Sequence, residues 1–275
     1  MIETPTTPWP DDWIDPSQVR CKKPRHDGLT MVIDKGLGLH AFRDLLETGG
    51  PYIDICKLGF GTSVLYTASQ LQEKIKGAIQ HQMYIMPGGT FFEVVSQFHS
   101  VSDYLHFIHQ VGFNAVEISD GTFPIPTEQR EEAIRLACDL GLMVCTEYGK
   151  KASSFVAELE ELIHTVEADI RAGASFVIIE ARESGNVGVF NKEGECDLSF
   201  VSEVIKAAGP FTSRLIWEAP KKAQQVTLLD AVGFQVNLGN IAPSDVLSVE
   251  ALRRGLRADT SAAVIERRLR SCESK

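Results

Sequence analysis

Eight short apolar segments recur along the chain, and most of them end in charged or amide residues beside glycine or proline. Between them lie stretches whose apolar residues repeat with helical spacing. The apolar segments are continuous rather than alternating, which is typical of parallel strands covered by helices. In order, the segments are TMVIDKG (30–36), IDICKLGFG (53–61), MYIMPGG (83–89), NAVEISDG (114–121), LMVCTEYGKK (142–151), FVIIEARESG (176–185), RLIWEAP (214–220) and FQVNLGNI (234–241).

Eight strand–helix alternations within about 250 residues predict an α/β protein with the (β/α)8 TIM barrel fold. The stretch after the fifth segment shows the helical period, since Leu162, Val166 and Ile170 fall on one face and Gly173 follows as a stop. No linker or low-complexity segment divides the pattern. We therefore expect a single catalytic barrel domain over residues 23–262.

Two flanking segments are predicted to lie outside the barrel. Residues 1–22 are rich in proline and hold two of the three tryptophans, which indicates an N-terminal arm that packs across the barrel or stays partly loose. Residues 263–275 include the sequence ERRLRSCESK, which predicts a polar C-terminal tail with a short helix that frays.

Bulk composition argues against several classes of protein. The formal net charge of -10 argues against a general nucleic-acid surface, although a local cluster of lysine and arginine can still bind small anions. No stretch approaches the roughly 20 apolar residues of a membrane span, and the N-terminus lacks the pattern of a secretory signal. The six cysteines form no CxxC pair and the seven histidines show no metal-ligand spacing. We expect free thiols in a reducing compartment, the cytoplasm.

Carboxylates stand at the ends of several predicted strands, where the active site of a barrel lies. Because strand side chains alternate, Glu147, Glu180 and Glu218 share a strand face with the apolar residues two positions before them. If those faces point inward, three carboxylates converge near the barrel mouth. Glu117 of the fourth strand could join them, and Asp120 is a further candidate.

Convergent carboxylates repel one another unless a cation lies among them. A ligand set made only of oxygen favours Mg²⁺ over Zn²⁺, so a Mg²⁺ site is the first interpretation. The alternative is a set of separate ion pairs with the basic residues near the same strand ends. Those residues are Lys35, Lys57, Lys150, Lys151 and Arg182.

The basic residues at the strand ends also predict an anionic substrate. A surface lysine lies more often on a helix face, whereas Lys57, Lys150, Lys151 and Arg182 fall at or just past strands. A lysine in a barrel mouth can neutralise a phosphate or carboxylate, or act as a general acid or base if its pKa is lowered. We expect at least one of the four to contact substrate.

Glycine-rich turns follow the second and third strands, in GFGTS (59–63) and PGGT (87–90). Small residues such as Gly88 and Gly89 let backbone N–H groups approach an anion, and the hydroxyls of Thr62 and Ser63 add donors. After the eighth strand, NLGNI places Asn240 where barrels often bind phosphate.

Taken together and in this order, the segments resemble the phosphosulfolactate synthase family. The resemblance covers about residues 20–260 and is carried by GLTMVIDKG, KLGFGTS, PGGTFFE, GFNAVEISDGT, TEYGKK, VIIEARESG, LIWEAP, VNLGNI and LRRGLRADT. It implies a (β/α)8 barrel that adds sulfite to phosphoenolpyruvate in a Mg²⁺-dependent reaction, giving (2R)-2-phospho-3-sulfolactate. In methanogens this reaction opens coenzyme M biosynthesis, and in some bacteria it leads towards sulfolactate.

The resemblance also implies roles for individual residues. The family's candidate proton donor corresponds to Lys151, with Lys150 as the alternative, because the sequence does not say which of the two points inward. Arg182 and Lys57 would hold phosphate, carboxylate or sulfite, with Lys35 as a further candidate. The family suggests a homo-oligomer, with a trimer as one option.

Two other hypotheses stay open at this point. Another Mg²⁺-dependent lyase or aldolase acting on a pyruvate-like substrate could use the same carboxylates and lysines, since a fold does not determine a reaction. A non-catalytic, stress-related barrel protein is the second. Converging charged strand ends argue against it, because an idle site has no physical reason to hold like charges together.

Overall fold

The structure, a computed structural model, describes residues 7–150, 155–181, 184–186 and 188–273. Within these ranges the chain alternates between strands and helices as predicted. The strands are β1 (Thr30–Asp34), β2 (Ile55–Leu58), β3 (Tyr84–Pro87), β4 (Ala115–Ile118), β5 (Met143–Tyr148), β6 (Phe176–Ile179), β7 (Leu215–Glu218) and β8 (Asn237–Ile241). The α-helices are α1 (Asp11–Ile14), α2 (Leu39–Gly49), α3 (Ala68–Gln80), α4 (Gly89–Val95), α5 (Val101–Val111), α6 (Thr127–Asp139), α7 (Leu159–Ala172), α8 (Leu198–Ala208), α9 (Lys222–Ala231), α10 (Val246–Arg253) and α11 (Ala258–Glu273).

The eight strands form one parallel sheet in the order β3-β2-β1-β8-β7-β6-β5-β4. This order brings the two outer strands, β3 and β4, together and makes the sheet a nearly closed barrel. Asn114 bridges the seam between them, because its side chain accepts from Ile85 N at 2.7 Å and donates to Met83 O at 3.1 Å. The predicted (β/α)8 fold is confirmed.

The alternation of strand side chains separates two kinds of core. The barrel interior holds one cluster of buried apolar residues, made of Leu29, Met31, Ile55, Met86, Ala115, Met143, Cys145, Ile178 and Ile216. The other strand faces pack against the surrounding helices in two larger clusters. Since Met143, Cys145, Ile178 and Ile216 line the interior, the glutamates that follow them on the same faces point to the barrel mouth.

The described part of the N-terminal arm packs against the amino-terminal end of the barrel, opposite the strand ends that carry the glutamates. Arg20 pairs with Glu250 of α10 at 2.8 Å and donates to Gly28 O at 3.0 Å. Gln235, just before β8, donates to Val19 O at 2.7 Å. The described part of the arm therefore covers the amino-terminal end of the barrel.

The predicted boundary at residue 262 falls inside α11, which begins at Ala258. Val264 of this helix is buried in the core that the helices share with the strands. Ala263 packs against the same core, and Arg267 lies over the Phe234 ring, so the first part of the predicted tail belongs to a helix that is docked on the barrel.

Two further properties follow from the described residues. None of their helices is long and apolar enough to cross a bilayer. Cys21, Cys56, Cys138, Cys145 and Cys196 are free, and Cys56 and Cys145 are buried in strands as predicted.

Candidate active site

Four buried glutamates and one buried lysine meet at the carboxyl-terminal ends of the strands. Glu117 lies on β4, Glu147 on β5, Glu218 at the end of β7, and Glu180 directly after β6. Lys57 of β2 reaches the same place, with its ammonium 3.1 Å from Glu218 and 3.4 Å from Glu117. The structure thus brings Glu147, Glu180 and Glu218 together as the strand alternation predicted, with Glu117 beside them, and it places Lys57 in the same cluster.

The charges of this cluster act strongly on one another. Burial would lower the pKa of Lys57, but the carboxylates around it, Glu117 and Glu218 foremost, raise it well above the ordinary value. Burial and the neighbouring charges of Glu147 and Glu218 raise the pKa of Glu180 well above that of an ordinary glutamate. Among the described residues, the cluster therefore joins the Lys57 ammonium to several acidic side chains.

A buried hydrogen-bond network holds Glu147 from the side of β4. The hydroxyl of Ser119 lies 2.8 Å from Glu147 Oε1 and 2.6 Å from Oε1 of Glu93 on α4. The second oxygen of Glu93 accepts from Thr122 N at 2.5 Å and from Phe123 N at 2.9 Å. Glu93 was not among the predicted site residues, although a glutamate within the apolar helix of PGGTFFEVV was a signal that a carboxylate is buried there.

Gly89 is required by close packing against this network. A Cβ at Gly89 would lie 2.6 Å from Ser119 Cβ and 3.0 Å from Glu117 Oε1. Its neighbour Gly88 donates its backbone N–H to Leu58 O at 2.9 Å, which ties the third strand end to the second. The predicted glycine turn is therefore a close approach of helix α4 to two polar site residues.

The turn after β2 carries two buried hydroxyls that make no hydrogen bond within the described part of the chain. The segment Gly59–Leu65 is a 3-10 helix with left-handed backbone at Phe60 (φ 55°) and Gly61 (φ 69°). Among the described residues, the buried Oγ atoms of Thr62 and Ser63 have no hydrogen-bond partner. Buried polar atoms are nearly always satisfied in folded proteins, so these two are available to a bound group.

Asn240 at the end of β8 has similar properties. It is buried, its backbone is left-handed at φ 53°, and its Oδ1 has no hydrogen-bond partner in the described part of the chain. A left-handed backbone is uncommon in a strand residue other than glycine and is often found at functional sites. Asn240 therefore stays a predicted substrate-binding residue.

Asp120 and Lys150 lie in a separate group beside the cluster. Arg130 of α6 contacts Asp120 at 3.1 Å and Asp169 at 2.7 Å, and it donates to the backbone oxygen of Glu147 at 3.0 Å. Lys150 reaches Asp120 at 3.5 Å. Sequence reasoning missed Arg130, because a buried arginine within a polar helix looks like an ordinary surface residue.

Of three other predicted residues, one is exposed and two lie outside the described part of the chain. Lys35 is exposed just past β1. Lys151, the first candidate for proton donor, and Arg182, the candidate anion holder, lie outside the described residues. Their roles stay predictions.

The buried carboxylates at the barrel mouth are the groups that would hold Mg²⁺. Among the described residues, no group of three or more His, Cys, Asp or Glu side chains is placed to hold a metal ion, and the ammonium of Lys57 lies against Glu117 and Glu218. Burial first, and then the charge of Glu147, raise the pKa of Glu180. Mg²⁺ is commonly held by one or two carboxylates, water and substrate phosphate. These two glutamates match that mode of binding.

Comparison with known proteins identifies similar sequences over almost the whole chain. A family model described as (2R)-phospho-3-sulfolactate synthase matches residues 18–259. A phosphosulfolactate synthase of Methanothermobacter thermautotrophicus is 40% identical over 255 residues, which cover 90% of this chain and 96% of that protein. One of Methanocaldococcus jannaschii is 42% identical over 236 residues, which cover 85% of this chain and 93% of that protein.

Solved structures show similarity of fold. The 3-hexulose-6-phosphate synthase from Salmonella typhimurium superposes with a TM-score of 0.54, covering 86% of this chain and 99% of that chain. Its sequence identity is 10%. The likeness supports the barrel architecture and says nothing of the reaction.

Proposed function

Because the chain belongs to the (2R)-phospho-3-sulfolactate synthase family and is an enzyme, we propose that it adds sulfite to C3 of phosphoenolpyruvate in a Mg²⁺-dependent reaction. The product would be (2R)-2-phospho-3-sulfolactate. The observation that carries this proposal is the cluster of four buried glutamates around Lys57 at the barrel mouth, within the span of the family match.

The reaction makes clear electrostatic demands. The sulfur lone pair of sulfite forms a bond to C3, the C2–C3 π pair moves to C2, and a proton must then reach C2. Negative charge develops on C2 and spreads into the substrate carboxylate before that proton arrives. When bound, Mg²⁺ supplies a Lewis acid that stabilises this charge, and Glu147 and Glu180 are the residues that would hold it.

Lys57 can supply positive charge to the site because of the carboxylates that surround it. Its raised pKa keeps the ammonium protonated through the reaction, so it supplies fixed positive charge rather than a proton. It lies between Glu117 and Glu218, which orient it. Its proposed role is to offset the charge of the anionic substrates where sulfite, phosphate and carboxylate must meet.

Other parts of the mouth would bind and protonate substrate. The hydroxyls of Thr62 and Ser63 are suited to donate to phosphate or sulfite oxygens, with Gly88, Gly89, Asn240 and Lys35 as further contacts. Lys151 is the proposed proton donor and Lys150 the alternative. The contact of Lys150 with Asp120 turns its ammonium towards that carboxylate, which favours Lys151 for the reaction itself.

The test is an NMR assay of the purified protein with phosphoenolpyruvate, sulfite and Mg²⁺. We expect a new sulfonate signal that grows with time and disappears when EDTA is added. Omission of sulfite is the matched control for hydrolysis or enolate chemistry on phosphoenolpyruvate alone. Absence of the sulfonate from folded protein with Mg²⁺ present would overturn the proposal, and consumption of phosphoenolpyruvate without sulfite would indicate a different lyase.

A further inference from the structure

A buried ammonium lies where two loops of the barrel mouth meet. Lys74 of α3 and Asp34 at the end of β1 are both fully buried, and their side chains pair at 2.5 Å between the sheet and the helix layer. The same ammonium lies 4.6 Å from the ring centre of Phe42 and 4.5 Å from that of Tyr66. Lys74 therefore contacts one carboxylate and two aromatic faces.

Asp34 fixes the loop that follows β1. Its Oδ1 accepts from the backbone N–H groups of Gly36 at 2.8 Å and Leu37 at 2.7 Å, while its Oδ2 accepts from the ammonium of Lys74. Lys35, a predicted substrate contact, lies in this loop between Asp34 and Gly36. The hydrogen bonds of one carboxylate therefore tie the backbone around Lys35 to helix α3.

Tyr66 joins the loop after β2 to the same ammonium. It directly follows the 3-10 helix Gly59–Leu65, which carries the hydroxyls of Thr62 and Ser63. Its ring lies against Lys74, and its hydroxyl donates to a backbone oxygen of the loop after β1 at 3.5 Å. Cation–π contacts that are shielded from water are stronger than exposed ones. The end of the hydroxyl-bearing segment is thus attached to the side chain that also holds the first loop.

We propose that Lys74 and Tyr66 are positioning residues for a subsite that binds one anionic group of the substrates. The donors of this subsite are the hydroxyls of Thr62 and Ser63, which have no hydrogen-bond partner in the described part of the chain, with Lys35 in the adjoining loop. This inference rests on the proposed function, in which these residues contact phosphoenolpyruvate or sulfite. Because Lys74 is fully buried, it acts through the two loops. A loop that is already held in place binds more tightly, since ordering it at binding opposes association.

Two aromatic rings lie at almost the same distance from the ammonium, and they give a matched pair of variants. Tyr66→Leu removes the ring attached to the hydroxyl-bearing segment, whereas Phe42→Leu removes a ring of α2 that lies in the core between sheet and helices. A lost hydrogen bond to a charged group corresponds to about tenfold in affinity. We expect Tyr66→Leu to raise KM for phosphoenolpyruvate about tenfold with little change in kcat, and Phe42→Leu to lower Tm with KM unchanged. Tyr66→Phe keeps the ring over Lys74 and should behave as wild type.

A double-mutant cycle in the full chain separates positioning from packing. The second background carries Thr62→Val and Ser63→Ala, so that its subsite has no hydroxyl left to position. We expect Tyr66→Leu to have no further effect on KM in that background, because residues that act through one another are not additive. The phosphoenolpyruvate concentration that gives half of the ligand-induced rise in Tm is a second readout, which needs no turnover.

The outcomes keep this inference distinct from the proposed function. Equal KM values for Tyr66→Leu and Phe42→Leu, or the same effect of Tyr66→Leu in both backgrounds, would overturn the inference while wild-type turnover stands. A rise in KM for sulfite alone would support the positioning role and assign the subsite to sulfite instead of phosphate. Wild-type protein that forms no sulfonate would overturn the proposed function and this inference with it.

Discussion

The ammonium of Lys57 lies 3.1 Å from Glu218 Oε1, although their strands, β2 and β7, are separated by β1 and β8 around the barrel. The contact therefore crosses the barrel interior. The second oxygen of Glu218 accepts from Ala181 N at 3.0 Å, which links the pair to the end of β6. This contact holds the charges of Lys57 and Glu218 in place at the mouth before any ligand arrives.

Removal of the Lys57 ammonium should unbalance the carboxylate cluster. Breaking one side of a buried ion pair typically costs about 3–5 kcal/mol, so we expect Lys57→Met to lower the free energy of unfolding by about 3 kcal/mol and to abolish sulfonate formation. Urea unfolding and the NMR assay measure the two effects. Lys76→Met on the exposed face of α3 is the control, and equal behaviour of both variants would contradict the assigned place of Lys57.

A methyl group at Gly89 should displace Ser119 and Glu117. Overpacking of this kind typically costs about 1–3 kcal/mol, and we expect Gly89→Ala to lose turnover more than stability because both displaced residues belong to the site. The control is Gly38→Ala, since nothing lies within 4 Å of a Cβ at that position. Normal turnover of Gly89→Ala at saturating substrate would show that the site tolerates the shift.

The Ser63 hydroxyl should matter for substrate and little for folding. Because it has no hydrogen-bond partner in the described structure, its removal sacrifices no internal bond. A lost hydrogen bond to a charged group is worth about 1.5 kcal/mol or more, so Ser63→Ala should raise KM for phosphoenolpyruvate about tenfold with unfolding unchanged. Thr146→Val removes another buried unpartnered hydroxyl, on the strand face opposite Glu147, and should leave KM unchanged. Equal KM values for the two variants would argue against a role for Ser63 in binding.

Asp34 of β1 and Lys74 of α3 form a fully buried ion pair at 2.5 Å between the sheet and the helix layer. Lys74 also lies over the rings of Phe42 and Tyr66. We expect Lys74→Met to destabilise the fold by about 3 kcal/mol, since it leaves a buried carboxylate unpaired. The double variant Asp34→Asn, Lys74→Met should recover part of that loss in urea unfolding. A double variant less stable than Lys74→Met alone would contradict the pairing.

Acid should weaken the contact between the arm and the barrel. Burial would raise the pKa of Glu250, but Arg20 and Arg254 outweigh it and hold the pKa below the ordinary 4.5. A lowered folded pKa means that the stabilisation is present above the unfolded value and is lost as pH falls through the folded one. We expect wild-type protein to be more stable than Glu250→Gln at pH 7, with the difference shrinking below about pH 4.5. A difference in unfolding free energy that does not change with pH would contradict this.

Much of this architecture was predictable from local pattern. Continuous apolar segments separated by helical periods specify parallel strands and their covering helices, because each element must bury its own apolar face. The period of two in strands then directs Glu147, Glu180 and Glu218 to the same side as the interior residues before them. These inferences need only neighbours in the sequence, and the structure confirms them.

The sequence by itself therefore determined the barrel and the convergence of its glutamates, since both follow from periodicity within single elements. Only the tertiary structure decided that Lys57 lies among those carboxylates, that Glu93 reaches Ser119, and that Asp120 contacts Arg130. These contacts join residues far apart in the chain, and side chains of one chemical type have several possible partners at similar reach. Their choice depends on how helices α4 and α6 pack on the strands, a property that no local pattern contains.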